Sequence, residues 1–151
     1  MVVSSASDAD RSKVVRDLAA SNVNRTWPLV GSSTAIFTFL LFFLYPRFSS
    51  GQIDPILFQV TLTVVVLSIF SFSFSAVYYY RITLLKMSDA KEHASMRRGT
   101  MLWLLGALFT ALEPALILFT VGLIAVALVA MSLWFLYTYF VLRQFRELSN
   151  N

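Results

Sequence analysis

Residues 99–142 read GTMLWLLGALFTALEPALILFTVGLIAVALVAMSLWFLYTYFVL, 44 positions carrying one charged side chain, Glu113. A hydrocarbon core about 30 Å thick is crossed by a helix of roughly 20 apolar residues, so this stretch holds two spans and a tight turn. Two further apolar runs precede it. Trp27 to Tyr45 is closed by Pro46 and Arg47, and a second run opens at Asp54-Pro55 and continues to Tyr80. Asp54 has the chemistry of an N-cap, and Pro55 suits a first helical turn, where its missing amide hydrogen costs nothing. Ser71 to Ser75 alternates serine with phenylalanine in a strand-like way, but the surrounding apolar run is far too long for a strand.

The fold class predicted is therefore all-α, a four-helix transmembrane bundle of two helical hairpins with spans near 27–45, 55–80, 99–119 and 123–142. Residues 1–26 form an N-terminal tail, 81–98 a basic connecting loop, and 143–151 a C-terminal tail. The composition agrees, because 58% of the 151 residues are hydrophobic, 13% are charged and the mean hydropathy is +0.72. A water-soluble chain of this length could not hide that much apolar surface. Cysteine is absent, which removes disulfides, thiolate metal sites and cysteine nucleophiles together. Residues 1–10 are polar, without the basic start and apolar stretch of a cleaved signal, so the first span is expected to stay in the mature protein.

Lysine and arginine give the orientation. The formal charge is +4, yet the basic residues flank apolar runs instead of forming a basic domain, which argues for membrane orientation and against a nucleic-acid partner. Arg11, Lys13, Arg16 and Arg25 precede span one; Arg81, Lys86, Lys91, Arg97 and Arg98 lie between spans two and three; Arg143 and Arg146 follow span four. Only Arg47 falls on the other side. Both termini are expected in the cytoplasm, with Trp27, Tyr78 to Tyr80, Trp103, Tyr137 and Tyr139 near the same boundary. The cell membrane is preferred over an organellar one.

The turn between spans three and four has two candidate positions. Glu113-Pro114 would make a well-formed helix start but leaves span three too short; Thr120-Val121-Gly122 makes both spans about 20 residues long, and is preferred. Pro114 then lies inside span three. Fifteen residues beyond Arg98, at about 1.5 Å each, Glu113 would sit roughly 22 Å into the ~30 Å core, protonated or paired.

Helix faces follow from small and polar residues, since the hydrophobic effect does not drive association within lipid. On span three, Gly99, Trp103, Gly106, Thr110, Glu113, Ile117 and Thr120 recur at intervals of four and three, a stripe that reads first as a packing seam and second as the wall of a polar pocket. Thr61, Ser68, Ser71, Ser75 and Tyr78 make a second polar stripe on span two. Weaker stripes are Gly31, Ala35 and Thr38 on span one, and Gly122, Ala125 or Val126, and Ala130 on span four. An echo at an offset of 59 residues aligns Asp54-Pro55 with Glu113-Pro114 and Thr61 with Thr120, but apolar sequences yield such matches by chance.

The remaining candidates are minor. His93 is the single histidine and lies in the charged loop, where a solvated role is expected. Asp89 and Glu92 resemble a capping pair for span three, and Ser7 with Asp10 one for a short surface helix over 8–21, a segment equally open to disorder. Asn24-Arg25-Thr26 matches a glycosylation pattern but should face the cytoplasm. No phosphate loop, metal-ligand cluster or nucleophile motif is present, so no catalytic residue, metal or cofactor is expected. Two functions stay in view. One is a non-catalytic membrane subunit, packing as a homo-oligomer or with another membrane protein in the lipid bilayer. The other is a small oligomeric proton- or cation-coupled transporter or channel, with Glu113 and Thr110 as its ion or proton site.

Overall fold

The computed structural model describes residues 3–85 and 87–149, and the side-chain surroundings of 12–85 and 87–143. It is all-helical among the described residues, with four helices long and apolar enough to cross a membrane. The chain is thus a multi-pass membrane protein by length and composition of its helices. The helices are α1 (Val3–Phe39), continued through a π-helical turn (Leu40–Leu44) into α2 (Tyr45–Ser49), then α3 (Pro55–Leu84), α4 (Asp89–Thr120) and α5 (Ile124–Ser149). Two ends of the molecule can be named by sequence: a hairpin end, with the turns after α2 and α4, and a basic end, with the link between α3 and α4.

Local chemistry sets the breaks. Pro46 has no amide hydrogen for the Phe42 carbonyl, and its ring crowds that carbonyl. The helix widens just ahead of it, so that the Tyr45 N–H bonds the Leu40 carbonyl five residues back. Both hairpin-end turns close on a glycine in the left-handed region, Gly51 at φ 73° and Gly122 at φ 82°. Around Gly122, Leu123 N–H bonds the Leu118 carbonyl and Gly122 N–H that of Phe119, which satisfies carbonyls the helix end leaves open. Asp54 caps α3, its carboxylate accepting from the Leu57 N–H at 2.8 Å.

Two local expectations change. The segment near 8–21 is no separate helix but part of α1, which starts at Val3 and runs through Pro28 without a break. The side chains of Ser7, Asp10 and Arg11 lie outside the described residues, as do those of Arg146 and Lys86. The N-cap of α4 is Ser88, whose carbonyl accepts from the Lys91 and Glu92 N–H groups, so Asp89 and Glu92 occupy the first turn. There they complement the helix dipole.

The core follows a seven-residue repeat on three helices. Ala19, Thr26, Ser33 and Leu40 on α1 and its π turn, Thr61, Ser68, Ser75 and Ile82 on α3, and Glu92, Gly99, Gly106, Glu113 and Thr120 on α4 are all buried. An ideal helix drifts off a strict repeat of seven, so helices that keep one seam in contact wind about each other left-handedly. α3 packs most extensively on α4 and next on α1. Toward the hairpin end Leu40, Leu44, Ile53, Phe58 and Val65 form the apolar cluster. α5 rests on α4 alone among its substantial neighbours, through Ala127 and through the Trp134 indole N–H, which donates to the Leu108 carbonyl at 3.0 Å.

The weaker stripes are corrected by this packing. Gly31, Ala35 and Thr38 face outward, and α1 buries Thr26 and Ser33 instead. On the last span Ala125 and Val126 are exposed, Ala130 is half-buried, Gly122 belongs to the turn, and Ala127 is the buried contact. The 59-residue echo has no structural counterpart, because Pro55 opens α3 whereas Pro114 lies inside α4.

Candidate functional site

The two main polar stripes face each other across the α3–α4 seam. Because the helices are antiparallel, successive rungs pair one residue from each. At the hairpin end Thr61 and Thr120 hydroxyls meet at 3.0 Å while each also reaches its own helix, at the Leu57 and Leu116 carbonyls. Two turns deeper Ser68 Oγ lies 2.6 Å from Glu113 Oε1. Further along, Ser75 donates to the Gly99 carbonyl at 2.8 Å, and the Tyr79 and Thr100 hydroxyls meet at 3.1 Å.

The glycines let the backbones come close enough for these bonds. A Cβ on Gly106 would stand 2.9 Å from two ring carbons of Phe72, and one on Gly99 would stand 2.9 Å from Tyr79 Cε1. Real Cβ contacts are longer, so both positions require glycine or a shift of the facing ring. Trp103 sits half-buried on the flank of the seam, edge-on to Phe72 at 6.4 Å and under the Arg25 guanidinium of α1 at 5.5 Å. Ser71 is buried on the same face of α3.

Glu113 is fully enclosed, with 0% of its surface exposed. Proton counting leaves two ways to hold it. Ser68 Oγ is 2.6 Å from Glu113 Oε1 and also 2.9 Å from the Val65 carbonyl, but it has one hydrogen to give. Ser68 can share that hydrogen between the two acceptors, or a protonated Glu113 can donate to Ser68 while Ser68 donates to Val65. Among the described groups Glu113 Oε2 has no partner, nor does Thr110 Oγ1 one turn earlier on the same face. Pro114 offers no amide hydrogen to the Thr110 carbonyl, which so lacks its usual donor four residues on.

The hairpin end carries an open cleft of about 320 Å³ lined by Arg47, Gln52, Ile53, Asp54, Thr120 and the Val121-Gly122 turn. Thr120 belongs to both the cleft and the seam, and lies two helical turns along α4 from Glu113. His93 is exposed, and no three His, Asp or Glu side chains come together among the described residues.

The sequence reading missed three members of this region. Ser33 of α1 is 0% exposed and its hydroxyl has no partner among the described groups. Phe72 is the ring that Gly106 accommodates, and Tyr79, rather than Tyr78, is the buried tyrosine of its run. A search for positions seven apart finds Ser33 between Thr26 and Leu40; nothing in the tyrosine triplet selects its middle member. No family model matches the chain, and no curated protein or solved structure matches it either.

Proposed function

We propose that this chain is a non-catalytic membrane subunit that packs with copies of itself or with another membrane protein. The observation that carries the reading is how the polar residues of the spans are used. Thr61 with Thr120, Ser68 with Glu113, and Ser75 with the Gly99 carbonyl all join α3 to α4. Such groups are glue in a helix bundle. A transport site would keep them facing a water-filled path, whereas Glu113 has no exposed surface and does not line the hairpin-end cleft. Lipid and partner helices are the surroundings this reading requires, in the cell membrane, with no nucleic acid.

Transport is the second reading, favoured by the unpartnered Glu113 Oε2 and Thr110 Oγ1. The two part in reconstituted vesicles. The subunit reading expects no proton or cation flux under an imposed gradient, and isolation in mild detergent as an assembly larger than the 17.0 kDa chain. Flux that wild type supports and Glu113→Gln abolishes would replace it with transport.

The orientation proposed has the basic end in the cytoplasm. Without native cysteine, single cysteines report it directly. Ser50 and Ala94 are both exposed, whereas neighbouring Ser95 is buried and a poor probe. On intact cells an impermeant maleimide should label Ser50→Cys and leave Ala94→Cys unlabelled until the cells are permeabilised. The opposite pattern would invert the topology.

A further inference from the structure

Arg47 and Asp54 line one cleft and do not meet. Both border the open space of about 320 Å³ at the hairpin end, yet among the described residues neither forms an ion pair with the other or with a third group. The bonds made at Arg47 are accepted by its carbonyl, from Ser50 Oγ and the Gln52 N–H, and its guanidinium has no acceptor among the described groups. The Gln52 side-chain amide is likewise unengaged there. Asp54 commits only Oδ1, to the Leu57 N–H that it caps. The Thr120 hydroxyl is taken by the seam. What the cleft leaves for a ligand is therefore a cation, an anion and an amide, all on exposed side chains.

The cleft sits at the depth of lipid headgroups. From Arg98 to Thr120 α4 advances about 33 Å, at 1.5 Å for each residue, slightly more than the ~30 Å hydrocarbon core. One wall is the turn that follows Thr120, and the other is the segment from Arg47 to Asp54 that leads into α3. Tyr45, Ile56, Leu123 and Ile124 are exposed beside these turns. A phospholipid whose chains lie on those side chains brings its headgroup to the cleft.

The two charges select the headgroup. A simple anion would bring its charge beside Asp54, and a metal cation would bring its own beside Arg47, whereas a zwitterion answers both. A guanidinium matches the oxygens of a phosphate. At the positive end, a primary ammonium has three hydrogens to give, and the Asp54 carboxylate and the Gln52 carbonyl can accept them. A quaternary ammonium has none and is held by aromatic cages instead. The cleft offers one ring, Phe119, among its described lining residues. Its volume is at the small end of ligand pockets, which suits a headgroup and little more.

We propose that the cleft between the two hairpin-end turns holds the phosphoethanolamine headgroup of a membrane phospholipid, with the phosphate on Arg47 and the ammonium on Asp54 and Gln52. The site requires no choice of membrane face, and it stands for a packing subunit and for a transporter alike.

Native mass spectrometry of the full chain, released from detergent, counts the lipids bound. The first phosphatidylethanolamine should bind about tenfold more tightly than phosphatidylcholine or phosphatidylglycerol, the worth of about one charge-assisted hydrogen bond. Arg47→Gln and Asp54→Asn should each abolish that preference and leave phosphatidylcholine binding and the thermal melt unchanged. Asparagine caps a helix as well as aspartate does, so the second change removes the charge and keeps the start of α3. Equal affinity for the three lipids, or a preference that survives both substitutions, would overturn the proposal. Phosphatidylglycerol bound most tightly, and weakened only by Arg47→Gln, would make the cleft an anion site instead. Free glycerophosphoethanolamine at the lipid's own concentration should not displace the lipid; displacement would assign the same chemistry to a soluble ligand and overturn the lipid as its source.

Discussion

Gly106→Val should unfold the protein far more readily than the same change at Gly31. The added Cβ alone would stand 2.9 Å from two carbons of Phe72, a ring that is itself 1% exposed and cannot swing into lipid. Overpacking of a closed core costs about 1–3 kcal/mol, and the branched valine belongs at the upper end or beyond. Gly31 has nothing within 4 Å of its would-be Cβ, so its substitution should stay within about 0.5 kcal/mol of wild type. Unfolding free energies in mixed micelles compare the two directly. Phe72→Leu should recover part of the Gly106→Val loss, because it withdraws the ring that the new side chain meets. If the Gly31 variant is the more damaging one, α1 is gripped from outside by a partner helix and the seam is not the dominant contact. Failure of the leucine rescue would show that the backbone, rather than the ring, limits the approach of α4 to α3.

The other large effect belongs to Glu113. Lysine there places a charge in a fully enclosed position, and insertion scales put such a charge at about 2.5–3.5 kcal/mol near the middle of a membrane helix. Loss of the contact to Ser68 adds to it, by about 0.6–2 kcal/mol for a bond between membrane helices. Glu113→Lys is therefore expected to accumulate poorly and to denature at the lowest detergent challenge of any single variant here. Glu113→Gln should be close to wild type, because its amide can donate to Ser68 as a protonated acid would. A glutamine variant as unstable as Glu113→Ala would mean that the native group is a carboxylate accepting from Ser68.

The span count was legible because the apolar runs are long and few residues interrupt them. Cap chemistry then marked Asp54-Pro55 as a helix start, whereas the turn at Gly122 was read from span length against the local pull of Glu113-Pro114. The stripe on α4 could be followed because glycine, threonine and glutamate are scarce between Gly99 and Thr120, so their spacing stands out against leucine. α1 offered no such contrast. Gly31, Ser32, Ser33 and Thr34 follow one another, and a hydroxyl can face lipid at little cost by bonding back to its own helix, as Thr34 does to Val30 and Thr38 to Thr34. Polarity in a membrane helix therefore marks a contact only when it recurs in phase with a second helix. Tyr78 and Tyr79 differ by about 100° around the helix, and choosing between them required knowing where Gly99 lies. The pairing of Ser68 with Glu113 had the same origin, since each stripe was readable alone but their register was not.

The arrangement of α5 has a meaning for how the protein is made. Chain synthesis runs from α1 onward, and domains of growing chains fold in that order. α1, α3 and α4 supply all the seven-residue contacts, and the acid already has its serine, before Ile124 is translated. A nascent chain halted in the turn at Gly122 would thus carry a finished core in the bilayer. α5 arrives afterwards and settles on a completed surface, held at Ala127 and by the Trp134 indole. It is an appended helix, and its departure would leave the remaining three with every bond of the seam intact.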